Sequence, residues 1–95
     1  MIRSFADRET EAFFRDGVTP SRWRAVDRVA FRKLDMIDAA SRIEDLRVPS
    51  GNRLEKLKGD LARLWSIRIN EQWRVVIRFD DEGPEDVAIV DYHRG

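Results

Sequence analysis

Two alternating apolar stretches separated by three polar residues constrain the fold of this chain more than any other feature. Trp65, Ile67 and Ile69 alternate with Ser66 and Arg68, and Trp73, Val75, Ile77 and Phe79 alternate with Arg74 and Arg78. That period of two marks strands with one buried face. Loop length then sets the register. A three-residue Asn70-Glu71-Gln72 loop pairs Ile69 with Trp73, Ile67 with Val75 and Trp65 with Ile77, whereas a two-residue loop would set Ile67 opposite Arg74 and mix the faces. The three-residue hairpin places Arg68 directly across from Arg74, away from the apolar stripe. Opposed like charges cost roughly a few tenths of a kcal/mol when solvated. The repulsion calls for a phosphate, for Glu55 or Asp91 from a neighbouring strand, or for side chains that splay into water.

Upstream, Ile2 to Phe5 alternates as a short first strand would, and Asp7 is placed to cap a helix that runs through Phe13 and Phe14 and stops at Asp16-Gly17. Thr19-Pro20 reads as an N-cap followed by proline in the first turn. From there Trp23, Val26, Ala30, Leu34 and Ile37 recur at spacings of three and four, which predicts an amphipathic helix. Ile43 to Leu46 suits a helical turn, and Val48-Pro49-Ser50-Gly51-Asn52 is a turn-rich break into the strands. A last strand, Val87 to Tyr92, follows an acidic turn from Asp80 to Asp86. The expected architecture is α+β, with two N-terminal helices packed on an antiparallel sheet and Arg68 and Arg74 on the face opposite the helices.

The chain has 95 residues, 42% of them hydrophobic, enough for one core and hardly two, so residues 1–95 are expected to form a single domain. A deep enclosed pocket is not expected at this size. Cysteine is absent and there is one histidine, which removes disulfides, thiolate nucleophiles and cysteine-based zinc sites and leaves little material for metal binding. No signal peptide or membrane span is visible, and the chain reads as soluble and cytoplasmic. Net charge is zero, yet residues 48 to 79 hold seven basic against three acidic side chains and residues 80 to 95 hold one against six. A local excess, rather than the total, is what a polyanion meets.

RNA cleavage needs a base for the ribose 2′-hydroxyl, cations for the phosphorane and an acid for the departing 5′-oxygen. His93 is the one side chain whose ordinary pKa lies near neutrality, so it leads the acid–base candidates, with Glu55 and Asp91 next. Lys58, Arg68 and Arg74 suit phosphate binding, arginine bidentately and lysine as a point charge; Arg53 and Lys56 complete the basic run. Tyr92 can stack on a base or donate its phenol to phosphate. Strand alternation sets Tyr92 and His93 on opposite faces unless the strand ends or bulges there. Trp23, Trp65 and Trp73 fall at apolar positions and read as packing residues. No phosphate-binding loop, dinucleotide fingerprint or nucleophile elbow occurs, and no cofactor is indicated.

The blocks Asn52-Arg53-Leu54-Glu55-Lys56-Leu57-Lys58-Gly59-Asp60, Trp65-Ser66-Ile67-Arg68-Ile69-Asn70 with Gln72-Trp73-Arg74, and the closing Asp91-Tyr92-His93 resemble a HigB-type toxin of the RelE/ParE superfamily of toxin–antitoxin systems. The likeness covers nearly the whole chain. It implies a RelE-like fold and a ribosome-dependent mRNA endonuclease whose Asp-Tyr-His, Lys-Gly and Trp-Arg elements map onto Asp91, Tyr92 and His93, onto Lys58-Gly59, and onto Trp73-Arg74. It implies further a HigA-like helix-turn-helix antitoxin as partner, the ribosome and mRNA as targets, and contact with operator DNA only through the antitoxin, with no membrane role. Two positions depart from the pattern. Glu55 stands where some members carry a second histidine, and Asn70 where some carry an arginine. A carboxylate of ordinary pKa is a base but a poor acid at neutrality, which would leave the acid role to His93. A ParE-like toxin acting on a protein target such as gyrase, or a non-catalytic adaptor that binds antitoxin and DNA, would need no titratable terminal residue.

Overall fold

The computed structural model describes residues 1–92, so His93 lies outside the described residues. Helix α1 (Arg8–Asp16) begins where the sequence places it: the Asp7 carboxylate accepts from the Thr10 N–H at 2.7 Å, and Gly17 at φ 72° closes the last turn, its N–H donating to the Phe13 carbonyl while the Val18 N–H donates to that of Ala12. The second helix differs from expectation. Thr19 does not cap it; Pro20 takes the N-cap position of a 3-10 turn, Ser21–Val26, and α2 (Asp27–Ala39) starts only there. Three residues per turn set Trp23 and Val26 on one side, after which Ala30, Leu34 and Ile37 continue the same apolar face. Two further 3-10 turns, Ile43–Arg47 and Ser50–Asn52, lead into the sheet.

Strands β1 (Glu55–Lys56), β2 (Leu64–Arg68), β3 (Trp73–Asp80) and β4 (Gly83–Asp91) form an antiparallel sheet in the order β1-β2-β3-β4. The β2–β3 register is the three-residue-loop register, with Trp65 opposite Ile77, Ile67 opposite Val75 and Arg68 opposite Arg74. Asn70 holds that loop, its side-chain oxygen accepting from the N–H groups of Gln72 and Trp73 at 2.8 and 2.7 Å.

The ends of the chain depart from the sequence reading. Residues Ile2 to Phe5 form no strand. Phe5 makes a single parallel bridge to Val87, with Arg3 and Ala6 donating to Pro84 and Val87 carbonyls. A longer ladder is blocked because Pro84 has no N–H and the Asp86 N–H goes to Ser4 Oγ instead. Strand β4 also starts earlier than Val87, at Gly83, which shortens the acidic turn to Asp81 and Glu82. The Arg3 guanidinium makes this possible: it lies 3.7 Å from Asp80, 2.8 Å from Glu82 and 3.0 Å from Glu85, offsetting carboxylates that would otherwise repel across the hairpin.

One cluster of buried side chains joins Phe13, Trp23, Ala30, Leu34 and Ile37 from the helical half to Ile67, Val75, Ile77, Val87 and Ile89 from the sheet. Beside it sits a polar pin. Asn52, fully buried, accepts from Lys33 Nζ at 2.5 Å and donates to the Leu46 carbonyl at 3.1 Å. Burial, and then the neighbouring Arg32 charge, push the Lys33 ammonium below the ordinary lysine range. None of the described helices is long and apolar enough to cross a membrane.

Candidate functional site

Strand alternation puts Ser66, Arg68, Arg74, Val76 and Arg78 on the sheet face turned away from the shared core, and the cross-strand partners Glu55, Ala88 and Val90 fall on the same side. Arg74 organises this face. Its Nη1 donates to Glu55 Oε1 at 2.9 Å and to Ser66 Oγ at 3.4 Å, and its guanidinium carbon lies 4.5 Å from the centre of the Tyr92 ring. The side chain is only 14% exposed, yet its Nε is buried without a hydrogen-bond partner among the described residues. The repulsion expected between Arg68 and Arg74 is thus answered from β1, by Glu55. Because Glu55 is 55% exposed, the pair contributes below about 1 kcal/mol. A phosphate, doubly able to accept, can displace so weakly held a carboxylate.

Arg68 lies directly across from Arg74 and forms no ion pair among the described residues. Lys58 is exposed and precedes the 3-10 turn Gly59–Leu61, which overhangs the same face. Arg53 is exposed at a turn with φ 47°, ahead of β1. Lys56 does not join the group: it stands over the Trp65 ring at 5.7 Å, on the side of the sheet opposite Glu55. Asp91 sits opposite Trp73 and accepts from Gln72 Nε2 at 3.1 Å. The structure therefore brings Glu55, Arg68, Arg74 and Tyr92 together, with Lys58 on the overhanging segment. Of the tryptophans, Trp23 and Trp73 are buried in the core.

The sequence reading missed what lies beside this cluster. An open groove of about 820 Å³ runs along the face, floored by Val76, Ala88 and Val90, walled by Leu57 and Leu61, and bounded by Arg63, Arg78, Asp86 and Tyr92. The signal was present. Val75-Val76 breaks the alternation of β3, and Val87-Ala88-Ile89-Val90 is a continuous apolar run, which marks a strand covered on both faces. Ser66, fully buried against Arg74, carried no signal, since an alternating serine reads as a solvent-facing one. Among the described residues no group of histidine, cysteine or carboxylate side chains is placed to hold a metal ion. The face can bind an anion at Arg74, present a carboxylate within reach of it, and lay an aromatic or apolar surface against a flat ligand.

Comparison with known proteins places this geometry. The model of the HigB-like toxins, described as RelE-like toxins of type II toxin–antitoxin systems, matches residues 3–93. Toxin HigB-1 of Vibrio cholerae is 39% identical over 85 residues, covering 85% of this chain and 86% of its own. Endoribonuclease HigB of Proteus vulgaris is 34% identical over 96 residues, covering 98% of this chain and 100% of its own. In fold, the chain is similar to the YoeB toxin of the Staphylococcus aureus YoeB–YefM complex, with a TM-score of 0.56 at 18% identity and 99% of both chains covered. It is likewise similar to the YoeB dimer of that organism, at TM-score 0.56 and 22% identity, with 98% and 95% covered.

Proposed function

The chain belongs to the HigB-like family, RelE-like toxins of type II toxin–antitoxin systems, and from that membership we propose that it is an endoribonuclease that halts translation by cutting mRNA on the ribosome. The observation that carries the chemistry is Arg74, a guanidinium shared between a carboxylate, a buried hydroxyl and an aromatic ring, with one buried nitrogen unbonded among the described residues. In this reading the scissile phosphate replaces Glu55 at Arg74, with Arg68 and Lys58 adding charge as the phosphorane forms. The freed Glu55 carboxylate takes the 2′-hydroxyl proton, His93 protonates the departing 5′-oxygen, and Tyr92 packs against a base. The 2′-oxygen to phosphorus bond forms as the phosphorus to 5′-oxygen bond breaks, and no metal is required. Asp91 borders the site, and Arg53 lies on the approach to it.

The fold reading that accompanies this function is one domain in which both helices layer on a single face of the sheet, leaving the Arg74 face open to the ribosome. The antitoxin partner is a HigA-like helix-turn-helix protein that links the toxin to operator DNA, and the toxin acts in the cytoplasm. A gyrase-directed activity has no comparable support on this face.

The test is cleavage of a defined mRNA by purified protein with and without ribosomes, for wild type and for His93→Gln. Wild type is expected to cut only with ribosomes. His93→Gln should lose on the order of 10² to 10⁴ in rate. Wild-type protein that cuts no RNA under any of these conditions overturns the reading; a fully active His93→Gln moves the acid role elsewhere.

A further inference from the structure

The end of the groove remote from Arg74 holds a donor that no group in the described structure satisfies. Strands β3 and β4 lose register between Val76 and Arg78, and Asp86 takes φ 53° there, a left-handed conformation that a residue other than glycine holds only when its surroundings impose it. Ser4 imposes it, its Oγ accepting from the Asp86 N–H at 2.9 Å and donating to Asp86 Oδ1 at 3.4 Å. Such bulges re-aim side chains beside functional sites, and this one brings Asp86 to the groove alongside Arg78. The Arg78 Nε is buried and without a hydrogen-bond partner; Asp86 Oδ2 lies 3.9 Å from it, too far for a bond.

Charge decides what kind of group this end accepts. Arg78 is offset by Asp86 and by Glu85 at 3.8 Å, and Glu85 is shared with Arg3, so no net positive field remains for a second phosphate. A neutral, flat group with donors and acceptors on one edge fits instead, its face on Val76, Ala88 and Val90. Building on the endoribonuclease reading, we propose that Arg78 and Asp86 form a base-reading subsite selective for guanine. Guanine alone offers two adjacent edge donors to one carboxylate beside an acceptor for a guanidinium. Arg74 and Arg78 are four residues apart on β3, about 13 Å of strand. A stacked nucleotide rises only about 3.4 Å, so the base read lies about four stacked nucleotides, or fewer in an unstacked strand, from the nucleotide whose phosphate reacts.

The full chain titrated with GMP, AMP, CMP and UMP, followed by the amide resonances of Val76, Ala88 and Val90, tests this. GMP should bind about tenfold or more tightly than UMP. Asp86→Asn, which tolerates the same left-handed backbone, should reduce that advantage below about threefold, and Ala88→Leu, which fills the floor, should weaken all four alike. Equal affinities in the wild type, or an undiminished guanine preference in Asp86→Asn, overturn the proposal. Cleavage-site sequencing separates it from the reading it rests on. Cleavage indifferent to neighbouring bases defeats the subsite and leaves the endoribonuclease intact, whereas guanine-selective binding without any cleavage defeats the endoribonuclease alone.

Discussion

Replacing Arg74 by lysine separates catalysis from stability, because the two losses differ by orders of magnitude. Lysine keeps one positive charge and an apolar stem but offers no planar fork. In stability, it gives up a pair to a 55% exposed Glu55, which contributes about 0.5 kcal/mol after screening. It also gives up the stacking on Tyr92, about 0.5 to 1 kcal/mol, and a long 3.4 Å bond to Ser66 of about 0.5 kcal/mol. Against this, the buried unbonded Nε disappears, recovering about 1 kcal/mol. The net change is about 0.5 to 1 kcal/mol, a fall in Tm of about 2 to 8 °C. A domain of ordinary stability stays almost wholly folded after such a loss. In rate, losing a preorganised donor to the phosphorane should cost on the order of 10² to 10³. Single-turnover cleavage of ribosome-bound mRNA beside scanning calorimetry measures both. Cleavage by Arg74→Lys within about threefold of wild type would show that Arg74 does not hold the reacting phosphate, and a Tm drop beyond about 20 °C would show that its role is structural.

The remaining predictions concern the buried pin and the N-terminal ion pair. Asn52→Ala strands the Lys33 ammonium and the Leu46 carbonyl inside the protein and should destabilise it by about 3 kcal/mol, read as a Tm loss of about 12 to 24 °C by calorimetry; a loss under about 4 °C would mean that neither group depends on Asn52. Because the folded-state pKa of Lys33 is lowered, its charge opposes folding at neutral pH, and that penalty fades as pH rises through the folded value toward the unfolded one near 10.4. Denaturant unfolding of Lys33→Met should therefore show a shallower rise of stability with alkaline pH than wild type, and parallel curves would refute it. Glu9 is held below the ordinary carboxylate range chiefly by its hydrogen bond with Arg22, so its contribution is present above the unfolded pKa and is lost as pH falls through the folded one. Glu9→Gln should remove part of the acid-side loss of Tm between pH 5 and 2, and an unchanged acid limb would deny the pair any role.

Local pattern alone determined much of this protein. The Asp7 cap, the Gly17 stop, the β2–β3 register and the facing of Arg68 and Arg74 all follow from interactions within a few residues or from a period that one loop length sets. So did the motif blocks that resemble the HigB-type toxins. Tertiary structure decided the rest, because each remaining feature depends on groups far apart in sequence. Arg3, 77 or more positions from the carboxylates it bridges, allows β4 to start at Gly83. Ser4 competes for the Asp86 N–H and so limits the N-terminal segment to a bridge. Asn52 reads as a turn residue and becomes a buried pin only because Lys33 and Leu46 converge on it. Alternation could say that Arg74 and Arg68 share a face, but not that Glu55 would take one of the two, nor that Lys56, its neighbour in the chain, would turn to the other side against Trp65. The groove belongs to the same class: an apolar run announces that both faces of β4 are covered, while what covers the second face, and what space it leaves, is set by a segment folded over from β1.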